Sequence, residues 1–337
     1  MASTKDWQTW KPEIDAYIED EMAAQPSTQA YEEIFNVEST NRLQINEVGY
    51  SGVGPMVNVG ELGDAVEDES IEGYGYSYIR QEFRKQKTFS SSLFETDQTN
   101  TIQTMSKDMA NCVPISRNLN AFGMFRNGWD STVKYGDQKP LFSIAHPLKD
   151  GSGTQPNTFR DGVQLPLTYN NAIALQDVML SMVSNSGNLL TIGSQSRNKV
   201  LFGSEMLRTK LYDIAGVENV KQPDVANNNA NYFVKGDKFD VMIIDWIGYE
   251  AAKLAGETTV AKSSSSNYWD TMWGIIDIAL AKRYFKFYFA EGYAQYDDEI
   301  KKSNQALIKY AYDKFAWGNS GYFPIVASKG DNSTVVL

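Results

Sequence analysis

The sequence predicts an α+β protein in which helices and strands are segregated along the chain. Three observations carry that reading. Apolar residues recur at spacings of three and four over 96–127 and 170–184, alternate with polar ones at 43–45 and 74–78, and dominate short runs at 199–203 and 239–247. These segments do not follow the regular strand-helix-strand rhythm of a parallel sheet. At 337 residues the chain exceeds the usual single-core size, so about two packed lobes are expected. No internal repeat or long linker separates them, which predicts one intertwined unit.

Pro12 opens the first predicted helix, in which Ile14, Tyr17, Ile18 and Met22 recur on one face and acidic residues fill the other. Such an arm has too little apolar surface to fold alone and must lie on its own body or on a neighbour's. From Leu43 the period becomes two: Leu43 and Ile45, then Val57 and Val59, and later Tyr74, Tyr76 and Tyr78 occupy alternate places, predicting two strands. Between them the segment ELGDAVEDESIE carries Glu61, Asp64, Glu67, Asp68, Glu69 and Glu72, while the returning strand carries Arg80, Arg84, Lys85 and Lys87. The result is a long hairpin with an acidic tip and a basic base. A two-stranded hairpin is marginal in water, so one this long needs a partner surface. The alternative reading of the charges is a solvated run without specific partners.

After Phe89-Ser90-Ser91-Ser92, the residues Ile102, Met105, Met109, Cys112, Val113, Leu119, Phe122 and Phe125 mark a long amphipathic helix. Pro114 removes a backbone donor and crowds the preceding turn, which predicts a kink or break near Val113. The stretch LFSIAHPLKDGSGTQPN, residues 141–157, is a loop, followed by a helix through Ile173, Leu175, Val178, Met179 and Met182. A second lobe begins there: strand KVLFG, helix EMLRTKLYDIAG closed by Gly216, Asn-rich 227–231, buried strand FDVMIIDWI and a polar loop at 262–267. Closing strands are read at IIDIAL, KFYF, ALIKYAYDKF and YFPIVAS, with a turn at Gly318-Asn319-Ser320-Gly321.

Composition excludes several functions. A formal charge of −11 gives no general attraction for phosphate backbones. The one cysteine, Cys112, excludes an intrachain disulfide and a multi-thiolate metal site, as expected in a reducing cytoplasm. The single histidine, His146, lacks the partners of a hydrolytic triad or a zinc site and reads as a structural loop residue. Gly49, Gly52 and Gly54 lack dinucleotide-binding spacing and mark strand bends instead. Asn332-Ser333-Thr334 matches a glycosylation acceptor by chance, since no signal peptide is read in MASTKDWQTWKPEID. No run reaches the length of a membrane span, and nothing asks for a cofactor or metal. Abundant carboxylates leave a two-acid glycoside hydrolase as the enzyme alternative.

The order of elements, with LFSIAHPL, GSGTQPN and NNAIALQDVM, then FSSSLFETD before the long helix and IKYAYDKFAWGNSGYFPIVASKG at the close, resembles the major capsid proteins of tailed bacteriophages, whose fold encapsulins share. The resemblance implies a phage capsid fold: an N-terminal arm (1–42), an extended E-loop hairpin (43–92), a peripheral domain with a long spine helix and connecting loop (93–165), an axial domain (166–292) and closing strands of the peripheral domain (293–337). It implies a non-enzymatic shell subunit that forms hexamers and pentamers of an icosahedral capsid around double-stranded DNA. Assembly is expected in the host bacterial cytoplasm with a portal protein, a separate scaffolding protein, a decoration or cement protein and non-specific contact with the enclosed DNA. The alternative is an encapsulin-type compartment shell. The expected subunit interface comprises Glu61, Asp64, Glu67, Asp68, Glu69 and Glu72 at the tip, and Arg80, Arg84 and Lys85 at the base.

Overall fold

A computed structural model describes residues 4–26, 29–50, 58, 64, 72–97, 99–185, 199–216, 219–220, 229–230, 239–258, 262, 267–290, 295–301, 306–321 and 325–330. In chain order its main elements are α1 (Thr4–Ala24), α2 (Ala30–Ile34), β1 (Asn36–Ser39), β2 (Gln44–Tyr50), β3 (Glu72–Ile79), β4 (Gln81–Ser90), α3 (Ser91–Thr96) and α4 (Thr101–Arg126). There follow β5 (His146–Pro147), β6 (Thr154–Gln155), α5 (Tyr169–Leu180), β7 (Lys199–Gly203), α6 (Arg208–Gly216), β8 (Asn219–Val220), β9 (Asn229–Ala230), β10 (Asp240–Ile243) and α7 (Tyr249–Leu254). The chain closes with β11 (Trp273–Asp277), α8 (Ile278–Tyr284), β12 (Phe285–Phe289), β13 (Gln295–Lys301), β14 (Ala306–Asn319) and β15 (Ile325–Ser328). The mixture is α+β, as the periodicities predict.

Two sheets organise it. In the first, β14 pairs antiparallel with β4 along one edge and with β12 and β13 along the other, and β1 adds parallel to β12. The second runs β10-β7-β11-β15. Its strands KVLFG, WGIID and IVAS are buried at every residue, because α5 and α6 cover one face and α4 the other. FDVMIIDWI is shorter than expected: only 240–243 are strand, on the edge, before a 3₁₀ turn.

Aromatic packing ties α4 to both sheets. Phe125 stacks on Phe285 of β12 at 5.8 Å and meets Phe202 of β7 edge-on, also at 5.8 Å. The lobes therefore share one core and form the single unit expected.

Three local expectations are corrected. Helix α1 starts at Thr4, with Pro12 inside it on the exposed side. Helix-breaking propensity yields to docking, since Ile14 and Ile18 bury against α4 and Trp10 stacks on Phe94 at 4.6 Å. Met22 faces outward instead of joining that face. The arm thus lies on its own body, seated by Lys11–Asp298 at 2.8 Å and by an ion pair between Asp15 and Lys309.

Nor does α4 break at Pro114; it runs on from Thr101 to Arg126. A proline there leaves the carbonyl four residues earlier, on Ala110, without its helical donor. The Tyr296 hydroxyl (3.2 Å) and Gln25 Nε2 (3.3 Å) donate to that carbonyl, so the lost bond is replaced from outside the helix. Finally, IIDIAL is not one strand. The Asp277 side chain accepts from Leu280 N and caps α8, so a helix intervenes before β12.

Helix α4 is fixed to the long strand by charge as well. Arg117 donates to both oxygens of Asp313, at 2.6 and 3.0 Å, with little of either side chain exposed. Removing one partner leaves a buried charge uncompensated, so Asp313→Ala should lower the unfolding free energy by about 3–5 kcal/mol in urea titration. A loss under about 1 kcal/mol would show that the pair does not hold the helix to the sheet.

Candidate assembly surfaces

The hairpin of β2 and β3 has two unlike faces, as strand alternation requires. Ile45, Glu47, Tyr76 and Tyr78 turn inward; register places Val48 and Ile79 on the other side, where they are 45% and 60% exposed. Tyr78 meets Tyr288 edge-on at 5.2 Å, Tyr76 lies 5.9 Å from Tyr135, and the Tyr288 hydroxyl donates to Glu47. Gly318 permits this approach, because a Cβ there would stand 2.2 Å from the Tyr76 ring. Lys149 of the connecting loop lies over Tyr74 at 5.2 Å. The hairpin root is thereby fastened to the body of its own chain.

Of the expected tip residues, Glu61, Glu67, Asp68 and Glu69 lie outside the described residues, as do Val57 and Val59 of the predicted strands. Asp64 is exposed, and Glu72 is exposed at the far end of β3, opposite Tyr50. The basic base is not one cluster. The hairpin ends at Arg80, whose backbone N–H donates to Leu43 O (3.0 Å) and whose guanidinium donates to Asn41 O (3.3 Å). Arg84, Lys85 and Lys87 sit beyond it on β4, which belongs to the large sheet instead of the hairpin.

Alternation along β4 then divides its charges between two surfaces. Arg84 points to the outer face, where it and Lys314 hold Glu82 at 2.9 and 2.7 Å and keep that carboxyl below its usual range. Lys85 stands opposite Ala311, on the side facing α4. There it borders a cavity of about 460 Å³ with Cys112, Ile115, Leu119 and Leu254. Burial pushes the Cys112 thiol pKa up, which makes it a poor nucleophile. A second cavity of about 390 Å³ shares Leu119 and Leu254 and continues past Asn127.

His146 is structural. It is buried, with Nδ1 2.5 Å from Asp137 and Nε2 3.1 Å from Asn157 Oδ1. Asn157 also donates to Leu141 O at 2.6 Å and accepts from Ser143 N at 2.8 Å, so the loop after α4 is closed around this pair. The hydroxyl of Ser143 accepts from Ala145 N at 3.2 Å. Among the described residues no helix is long and apolar enough to cross a membrane, and no cluster of three or more His, Cys, Asp or Glu is arranged to hold a metal.

Sequence reasoning missed the charged seats Asp15–Lys309, Lys11–Asp298, Arg117–Asp313 and Arg126–Glu257. Their partners lie between 131 and 294 residues apart where bonds are drawn between side chains, so no local signal could join them.

No family model matches the chain. No curated protein matches it either. Among solved structures it is similar to a chain of Mycobacterium phage Ogopogo, at 14% identity and a TM-score of 0.47, over 90% of this chain and 93% of that one. It is similar to a capsid chain of the native GTA particle at 10% identity and a TM-score of 0.49, over 90% and 91%. A chain of the satellite phage P4 procapsid, which includes a size determination protein, is similar at 7% identity and a TM-score of 0.49, over 94% and 90%. All three likenesses are distant.

The tyrosines at the hairpin root give a pH test. Burial raises Tyr78, Tyr135 and Tyr288 above the ordinary phenol range, Glu47 adding to Tyr78 and Tyr288, and burial also takes Tyr31 and Tyr268 up to about 12. An unfolded chain ionises its tyrosines near pH 10 while the folded one keeps these protons, so folding stability is intact below about pH 10 and falls above it. Urea midpoints should hold from pH 7 to 9 and drop steeply between about pH 10 and 12, less so in Tyr288→Phe. A flat profile through pH 11 would refute this.

Proposed function

We propose that this chain is the major capsid protein of a tailed bacteriophage, a non-enzymatic subunit whose copies form the hexamers and pentamers of an icosahedral shell around double-stranded DNA. The observation that carries the reading is the hairpin: its root is clamped by aromatic contacts, yet Val48 and Ile79 on its outer face stay uncovered. Beyond the paired strands the chain runs on into an acidic segment. A limb rigidly rooted, with Val48 and Ile79 uncovered on its free side, is suited to a surface of a different copy, and heterologous contacts of this kind close rings when the rotation allows. The arm α1 rests on its own subunit, so the hairpin is the limb that joins copies.

The order of elements supports the same reading. An arm, a hairpin, an unbroken 26-residue helix, a loop closed by His146 and the strands of the second sheet, whose last member β15 comes from the closing segment, follow one another in an order that supports the resemblance. On this reading residues 1–42, 43–92, 93–165, 166–292 and 293–337 are the arm, E-loop, peripheral domain, axial domain and closing strands. The acidic tip of one copy, Glu61 to Glu72, meets basic side chains of another. Lys85, bordering the cavity on the α4 side, and Arg84, paired with Glu82, serve two different contacts. A portal protein, a separate scaffolding protein, a decoration protein and loosely held DNA complete the particle, which assembles in the bacterial cytoplasm.

Electron microscopy of the purified protein, with scaffold supplied, should show closed shells. A compact monomer at all concentrations would end the proposal. Each exposed ion pair contributes only about 0–1 kcal/mol, but the contact is repeated in every subunit and the losses sum over the shell. The triple variant Glu67→Lys, Asp68→Lys, Glu69→Lys should therefore cut particle yield about tenfold or more with an unchanged melting temperature. Normal yield would remove the tip from the interface.

A further inference from the structure

Four cations held within this fold are matched by carboxylates. Arg117 meets Asp313, Arg126 meets Glu257, Lys286 meets Glu38 and Lys309 meets Asp15. Lys329, at the exit of β15, differs: half-buried, it is paired with no carboxylate among the described residues. Its ammonium instead lies 4.9 Å from the Tyr268 ring centre and 5.6 Å from that of Trp129.

This position is built. The Lys329 N–H donates to Gln164 Oε1 at 2.8 Å, and its carbonyl accepts from Thr271 Oγ1 at 2.7 Å. Gly330 follows with φ of +74°, where any Cβ would meet Thr271 O at 2.2 Å, so the chain turns here on a glycine. The rings are fixed too: Tyr268 donates to Arg126 O at 2.7 Å, and Trp129 packs on Phe142 at 4.4 Å and on Tyr268 edge-on at 5.6 Å. Burial lowers the amine's pKa. Two ring faces orient an ammonium but supply no hydrogen-bond acceptor, so its N–H groups remain to be satisfied.

We propose that the Lys329 ammonium, bracketed by Trp129 and Tyr268, is the docking point for a carboxylate from a second copy of this chain. The inference rests on the shell-subunit reading above. Each copy carries 42 acidic against 31 basic residues, so an approaching copy brings surplus carboxylates to a cation that has none beside it among the described residues. A charged hydrogen bond to a partly desolvated, pre-oriented ammonium is stronger than one between mobile surface groups, because less solvent screening and less ordering oppose it.

Zero-length crosslinking tests it. Particles assembled from a mixture of unlabelled and ¹⁵N-labelled protein are treated with a water-soluble carbodiimide. The reagent activates a carboxylate; the amine then displaces the urea by-product, leaving an amide between the two side chains. Mass spectrometry should find Lys329 joined to an Asp or Glu across light and heavy peptides, at least tenfold more than in unassembled protein. Lys329→Gln should lower particle yield about tenfold while circular dichroism and melting temperature stay unchanged. Links within one copy only, or links from other lysines with none from Lys329, overturn the inference. So does protection of Lys329 that appears only in DNA-filled particles without a crosslink, which would assign it to nucleic acid. Particles lacking the Lys329 link leave the shell reading standing, whereas absence of any particle overturns both.

Discussion

Everything in this fold is referred to the last two turns of α4. Phe122 and Phe125 there are fully buried, and Phe125 touches a strand of each sheet, so the two lobes are held by one side chain's worth of close packing at the centre. Interiors at this density transmit displacement instead of absorbing it. Arg126, the next residue, is also buried; it donates to Glu257, Trp246 O and Leu119 O, and so secures the loop after α7 to the same helix end. Neither sheet can shift relative to the other without opening this junction.

From that junction the rest of the molecule is progressively less constrained. Strand β14 is held on both edges, the hairpin root on one face, and the hairpin's far side on none described. Charges follow the same gradient. Buried pairs such as Arg117–Asp313 set the relation of helix to sheet, where loss of a partner is costly. Pairs such as Arg84–Glu82 lie in solvent, where they are cheap to break and free to exchange partners.

Much of this was legible in the residues, and the division is physical. Elements specified by their own periodicity were found: the long helix, the hairpin strands marked by Tyr74, Tyr76 and Tyr78, and the buried strands KVLFG and KFYF. Features specified by distant residues were not. Pro114 reads as a break because the Tyr296 hydroxyl that relieves it is 186 residues from Ala110. The first helix reads from Pro12 because its seat, Asp298 and Lys309, is near the other end of the sequence. Arg80, Arg84 and Lys85 look like one basic patch because strand alternation and the end of the hairpin at Arg80 become visible only once β4 is known to pair with β14. For His146 the absence of catalytic partners pointed to a structural role, while Asp137 and Asn157 as its partners needed the folded loop.

The place of β14 in the chain has a bearing on biosynthesis. Strands β4, β12 and β13 find their common neighbour only in residues 306–319, so the large sheet has no core strand until nine-tenths of the protein has left the ribosome. Nascent or prematurely terminated chains therefore lack the platform on which α1, α4 and the hairpin root settle. Such incomplete products cannot complete the large sheet, so the full fold becomes available only as translation ends.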